Sequence, residues 1–317
     1  MNKDRYLADY VTLLLVAVVL ALVPLGVGDS AHYLRIVTLM LITIAYAVAL
    51  NIIFGHTRQL FLCIGALAGS SAYLSVVLAI KTGLSPWATI PLGIVSAALL
   101  GGAFSYVSVR RGLGVIFVGI VTLVFSLIFH NLVLGLRELT NGETGIETKG
   151  LGAAVLQSGR GSYYVILAFL MACLVLYHLL MRSRAGTAFR AIADDEFAAE
   201  LAGIDVTFYK VLAASIGSAL LGAVGAIYAY YSGFISPTEY ALVSVDIVVL
   251  VTLLLGGMGT LLGPVLGGVL FTVLDEMVRP LGRLNVLVYG VLMIVLVITF
   301  RHGLVAALRK IVKVRIP

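Results

Sequence analysis

The stretch from Arg182 to Lys210, R-S-R-A-G-T-A-F-R-A-I-A-D-D-E-F-A-A-E-L-A-G-I-D-V-T-F-Y-K, decides how the rest of the chain is read. Nine of its residues are charged (Arg182, Arg184, Arg190, Asp194, Asp195, Glu196, Glu200, Asp205 and Lys210). The flanking runs, Tyr163 to Met181 and Phe208 to Tyr231, are apolar and long enough to cross a hydrocarbon layer of about 30 Å. A charged island between two such runs stays in water while its flanks enter the bilayer, and it faces something soluble.

The island predicts a short helix with its own punctuation. Asp194 is the expected N-cap, Asp195 and Glu196 put negative charge where the helix dipole favours it, and Gly203 supplies a left-handed stop. Such a helix has about two turns, roughly 12 Å. Ala198, Ala199 and Ala202 share a face almost bare of side chain, which lets another backbone dock. The plainer alternative is a solvated connecting helix, since Ala and Glu are good helix formers in any setting.

Outward from the island, the composition agrees. Of 317 residues, 61% are hydrophobic and 11% charged, and the mean hydropathy is +1.12, which describes an all-α polytopic membrane protein. The apolar runs are Val11–Val27, Leu34–Phe54, Leu60–Ile80, Trp87–Val109, Gly114–Leu136, Tyr163–Met181, Phe208–Tyr231, Val243–Leu255, Gly263–Val278 and Leu284–Phe300. The pair between 243 and 278 is short and interrupted by Gly and Pro, so broken or half helices are expected there, and 8–10 transmembrane helices in all. The first run is long for a signal peptide and lacks a small-residue cleavage site, so it reads as a retained helix. The whole chain, 1–317, reads as one transmembrane domain with no room for a sizeable soluble one.

The net charge of +6 is spread over loops and ends instead of forming a patch, which argues for topology signals and against nucleic acid. With ten spans, two-thirds of the 21 Lys and Arg fall on one side. By the positive-inside rule both termini and the 182–210 loop are cytoplasmic, and the 137–162 loop is outside. Its Glu138, Glu143 and Glu147 suit either a cation or a solvated surface for an external partner; no calcium-loop spacing accompanies them. Cys63 and Cys173 lie in apolar runs as small buried hydrophobes, and no metal-ligand spacing occurs.

Ionisable and polar groups inside spans are few. His130, Asn131, His178 and Asp246 stand out, with Asp275 and Glu276 at a span end; Asp246 and His130 are either a polar lining or partners in interhelical hydrogen bonds. Gly65, Gly69 and Ala72, and again Gly256, Gly259, Gly263 and Gly267, make small-residue steps that permit close packing or a break lining a path. A phosphate-binding G-x-x-x-x-G-K-[ST] loop, a nucleophile elbow and an H-E-x-x-H pair are all missing, so the sequence carries no catalytic constellation.

The core of the island, D-D-E-F-A-A-E-L-A-G-I-D between R-A-I-A and V-T-F-Y-K, resembles the cytoplasmic loop of ABC importer permeases of the branched-chain amino-acid type. Q-L-F-L-C-I-G-A-L-A-G-S-S-A-Y at 59–73, T-N-G-E-T-G-I in the outer loop, G-F-I-S-P at 233–237 and L-G-G-M-G-T-L-L-G-P-V-L-G at 255–267 are similar to the same family. The resemblance implies a permease in the cell membrane that couples to two separate ATPase subunits, which carry the ATP and Mg. It also implies a second homologous permease subunit, an external solute-binding protein and no cofactor in this chain. It places ATPase coupling on Asp195, Glu196, Ala198, Ala199 and Gly203. Candidates for the path lining are Gln59, His130, Asn131, Asp246, Gly256, Gly259 and Gly263.

One departure stands out. Where the family has Gly-Gln-x-Ser-x-Gly-His, this chain has Arg58, Gln59, Phe61, Cys63 and Ile64, bulky groups that alter the path if that segment lines it. Branched-chain amino acids come first as solute by resemblance, with other amino acids, urea or short amides behind. The alternative class is an ATP-independent secondary transporter or channel for a small polar solute, which needs an intramembrane carboxylate poised for coupling; only Asp246 qualifies.

Overall fold

The computed structural model describes residues 3–27, 30–148, 150, 158–279 and 303–305; the expected span Leu284–Phe300 lies outside the described residues. Away from water the backbone must satisfy its own polar groups, so the apolar runs become helices. In chain order they are α1 (Lys3–Val27), α2 (Ala31–Leu50), α3 (Ile64–Thr82), α4 (Pro86–Arg110), α5 (Val115–Gly135), α6 (Arg137–Thr140), α7 (Gly159–Arg182), α8 (Arg184–Asp194), α9 (Glu196–Leu201), α10 (Val206–Ser232), α11 (Ile247–Gly256) and α12 (Gly263–Val278). Two short strands, β1 (Ile146–Glu147) and β2 (Phe234–Ile235), pair antiparallel.

Among the described residues, six segments are long and apolar enough to cross a membrane: Ala31–Gly55, Ile64–Thr82, Pro86–Arg110, Val115–Gly135, Gly159–Arg182 and Val206–Ser232. They coincide with the expected runs. The interrupted pair is also as expected, since α11 has 10 residues and α12 has 16. At 1.5 Å per residue α11 is about 15 Å long, half the thickness of a hydrocarbon layer.

Burial separates an inner from an outer set of helices. The apolar window of α2 is 78% buried and that of α5 only 28%. Trp87 and Leu99 on α4, and Ile116, Phe117 and Ile128 on α5, face outward, the pattern of a surface that meets lipid or another apolar subunit. Inside, α10 packs on α3 and α4 through small residues. A side chain added at Gly225 would strike the Ala68 backbone on α3, and one at Gly101 or Gly222 would collide with Ser218 or Ala97 across the α4 seam, so these helices approach very closely. Ser75 joins the seam, its hydroxyl 3.2 Å from both Thr89 Oγ1 and Tyr230 OH.

Two helices break inside this bundle. α2 widens into a π-turn over Asn51–Gly55, and the chain then runs without helix through residues 58–63 before α3 begins. Gln59 lies beside Lys210 at the start of α10, whereas Ala68 lies beside Gly225 far along it, so α3 starts well inside the bundle. The second break is its counterpart from the other end. After α10 stops at Gly233 (φ 73°), the chain descends through β2, a 3-10 turn (Pro237–Tyr240) and a π-turn (Leu242–Asp246) before α11 begins. Glycine fits the left-handed stop at 233, where a side chain would be strained.

Candidate functional site

The two broken ends meet head on. Gly65, in the first turn of α3, donates its backbone N–H to Asp246 Oδ1 at 2.8 Å, and Ser126 on α5 donates to Oδ2 at 3.2 Å. A carboxylate at a helix N-terminus meets unpaired amides and the positive end of the dipole, which is how a fully buried Asp is tolerated among apolar side chains. Asp246 therefore ties α3, α5 and α11 together, and both of its oxygens are engaged. The approach is close enough that a side chain at Gly65 would strike the Tyr240 carbonyl.

Gln59 is a second buried hub. Its amide nitrogen donates to Thr57 Oγ1 (2.9 Å) and to the Lys210 carbonyl (3.0 Å), and its carbonyl accepts from Ser105 (2.6 Å). The bulky departures beside it are accommodated as packing: Phe61, Cys63 and Ile64 are fully buried, and Arg58 is exposed in a left-handed conformation (φ 55°). Cys63 and Cys173 are both free and buried.

The α11–α12 hairpin closes near the far end of α2. Asn51 in the π-turn accepts from Gly259 N–H (2.8 Å) and donates to the Thr260 carbonyl (2.9 Å) and to Tyr177 OH (3.1 Å), while His56 Nε2 lies 2.7 Å from the same hydroxyl. Gly256 is buried against the Gly263 backbone and Gly263 against the Gly257 carbonyl, and Gly259 is exposed at the turn. Of the remaining lining candidates, His130 is half-buried and its Nδ1 has no hydrogen-bond partner among the described residues; Asn131 is exposed on α5 and donates to the Leu127 carbonyl.

The charged island folds as two helices, α8 and α9, with a correction to the expected cap. Asp194 is the last residue of α8, and Asp195, in an extended conformation (φ −154°), caps α9 by accepting from Ala198 N–H at 2.9 Å. The cap moves by one residue because the Asp195 N–H still bonds back to Ala191 and so completes α8. Gly203 terminates α9 in the left-handed region (φ 84°), as expected.

The face of α9 also differs from the expected bare alanine face. Ala199 is only 4% exposed, packed with Ile192 and Val206, while Ala198 and Ala202 stay exposed. Phe197 and Leu201, four residues apart, are instead 70% and 74% exposed. Glu196 is fixed to the bundle by Lys210 at 2.6 Å. The i, i+4 apolar pair was visible in the sequence; it was masked by the alanines around it.

Membrane-length helices enclosing a short helical pair, with α3 and the start of α11 meeting at a buried polar contact, are the architecture of a transport permease. Comparison with known proteins narrows that class. The family model described as branched-chain amino acid transport system / permease component matches residues 32–297, and the chain belongs to this family. It is thus the permease subunit of an ABC importer.

Among its relatives is the high-affinity branched-chain amino acid transport system permease protein LivM of Salmonella typhimurium, 29% identical over 310 residues, covering 88% of this chain and 71% of that protein. LivM of Escherichia coli is 28% identical over 330 residues, covering 96% and 77%. The autoinducer 2 import system permease protein LsrC of Salmonella typhi is 27% identical over 280 residues, covering 83% and 76%. No solved structure matches.

Proposed function

We propose that this chain forms the translocation path of an importer for branched-chain or closely related small amino acids, and that α8 and α9 seat on a separate ATPase subunit in the cytoplasm. The observation that carries the coupling part is the pair Phe197 and Leu201, held out from the bundle on a helix whose other face is locked by Ile192, Ala199 and Val206. Two large apolar side chains exposed on an otherwise charged element suit a partner groove; lipid does not suit an element bearing so many charges. Asp195 and Gly203 fix the start and end of α9, and Glu196 fixes its angle through Lys210, so their part in coupling is positional; Ala198 lies in the exposed contact area. On this reading the α8–α9 end of the bundle is cytoplasmic and the end carrying β1 and β2 is external. ATP and Mg sit on two ATPase subunits, a second homologous permease completes the membrane unit, and an external binding protein delivers the solute.

ATP-independent transport is disfavoured by the state of Asp246. A coupling carboxylate has to exchange its partner during the cycle, and this one is occupied on both oxygens by the bundle itself.

The test is a cysteine cross-link from Leu201→Cys to a co-expressed ATPase subunit, in a background with Cys63 and Cys173 replaced. Nucleotide-sensitive cross-linking is the expected result. A thiol at 201 that reacts freely with a cytoplasmic reagent yet never cross-links would remove the coupling assignment.

A further inference from the structure

We propose that the cavity between α2, α11 and the descending 237–246 segment is an amino-acid subsite, in which the Glu239 carboxylate takes the ammonium group of the solute and the Ile42, Val245 and Val249 wall takes its aliphatic side chain. The inference rests on the importer reading above and adds a location and a chemistry to it.

The cavity has a volume of about 470 Å³ and lies at the bundle end that carries β1 and β2. Its lining combines apolar side chains with Thr43, Thr238, Ser244, Glu239, Tyr228 and Tyr46, of which Thr238 and Ser244 hydrogen-bond within the 236–244 segment. Tyr46 is only 5% exposed, and its hydroxyl has no hydrogen-bond partner among the described residues; the same holds for Glu239 Oε2. Buried polar atoms normally find partners, because leaving one unpaired costs about 1–3 kcal/mol. Two orphans in one cavity mark a place where the missing partner is a ligand. Burial pushes the Glu239 carboxyl pKa up, with the Arg35 charge and the Tyr228 hydroxyl pulling the other way; an ammonium group set beside it removes that penalty.

The rest of the cavity argues for an amino acid over a bare metal ion. Glu239 is the one carboxylate among the described lining residues, too little negative charge to hold a hard divalent cation, and the aliphatic wall offers such an ion nothing. On α2, Arg35, Leu39, Ile42 and Tyr46 follow the i, i+4, i+7, i+11 spacing of a single face. The exposed Arg35 guanidinium therefore stands at the end of the stripe that leads into the cavity, where it suits the solute's carboxylate. Asp246 plays no part, since its oxygens are already taken.

The experiment places a thiol at Thr43, a half-buried wall position, as Thr43→Cys in the assembled transporter with Cys63 and Cys173 replaced. Reaction rates are compared for a cationic aminoethyl, an anionic sulfonatoethyl and a neutral methyl methanethiosulfonate, with the neutral reagent as the measure of access. The cationic reagent is expected to be favoured over the anionic one by about tenfold, the size of one charge-assisted hydrogen bond. Glu239→Gln should abolish that preference while leaving the neutral rate unchanged. L-Leucine should protect the thiol, and 4-methylpentanoate, which lacks the amino group, should not.

A charge preference that survives Glu239→Gln, or equal protection by both compounds, overturns the subsite. Labelling needs no ATP, so a transporter that shows this pattern but moves no leucine with ATP leaves the subsite standing and overturns the importer reading instead.

Discussion

The bundle is broken twice, at 51–64 and at 233–247, and the two breaks are finished differently. Along the first, every buried polar side chain is claimed by the protein: Thr57 and Gln59 by their neighbours and by the Lys210 carbonyl, His56 by Tyr177, Asn51 by the α11–α12 turn. The second is claimed in part, with Ser236, Thr238 and Ser244 bonded to one another's groups and Tyr240 OH donating to the Gly225 carbonyl. Asp246 is held by Gly65 and Ser126, but above it Glu239 Oε2 and, across the cavity, Tyr46 OH are left open. A helix break alone is therefore a poor sign of a binding site, since its polar groups can all be spent on closing the gap. What distinguishes a site is a break with space beside it and polar atoms left unpaired.

The largest effect is expected where the breaks touch. Gly65→Val drives a branched side chain into the Tyr240 carbonyl, a backbone atom that can yield only if the 237–246 segment shifts. The loss should reach about 3 kcal/mol or more, as for other large misfits in a packed core. In practice the variant yields little monodisperse protein from membranes, and a wild-type melting curve would mean the two ends are not in contact.

Asp246 should cost less, and its replacements should rank by hydrogen bonding. Asp246→Ala strands the Gly65 N–H and the Ser126 hydroxyl in a dry interior, a loss of about 2 kcal/mol, whereas Asp246→Asn keeps an acceptor for Gly65 and should recover much of it. Thermal denaturation in detergent separates the two. Uptake by Asp246→Asn is expected to persist, because a structural tie tolerates loss of charge and a proton carrier does not; abolished uptake with an intact melting curve would return Asp246 to a coupling role.

Much of this architecture was legible in the sequence. The hydropathy runs located the six membrane-length helices among the described residues to within a few residues, because length and apolarity are local properties. Gly203 was legible for the same reason, being a stop with no required partner. What stayed hidden was non-local. Nothing near Asp246 announces Gly65, 181 positions away. Asn51 is a single polar letter in an apolar run, and its importance comes from Gly259 and Thr260 on a distant turn. Tyr46 and Glu239 became conspicuous only when folding brought them to one cavity without giving them partners. The α9 cap moved by one residue because an Asp-Asp pair offers two equivalent caps, and the continuation of α8 chooses between them.

The smallest effect on stability should accompany a clear effect on function, at the opposite extreme from the sealed break. Phe197 and Leu201 make little contact with the described bundle, so Phe197→Ala and Leu201→Ala should each change stability by no more than about 0.5 kcal/mol. If α9 is a docking helix, these same residues occupy the centre of its interface, where truncating one anchor weakens a complex by about 2 kcal/mol, more than tenfold in affinity. Ala199 behaves the other way round. It packs inward against Ile192 and Val206, so Ala199→Phe should lower the melting temperature and disturb coupling only through the misplaced helix. Measuring melting and ATP-driven uptake on all three variants separates contact from support: stability unchanged and uptake reduced for 197 and 201, both reduced for 199. Equal uptake by wild type and the double variant Phe197→Ala/Leu201→Ala would leave the exposed pair without a role in coupling, and α9 as a solvated connector.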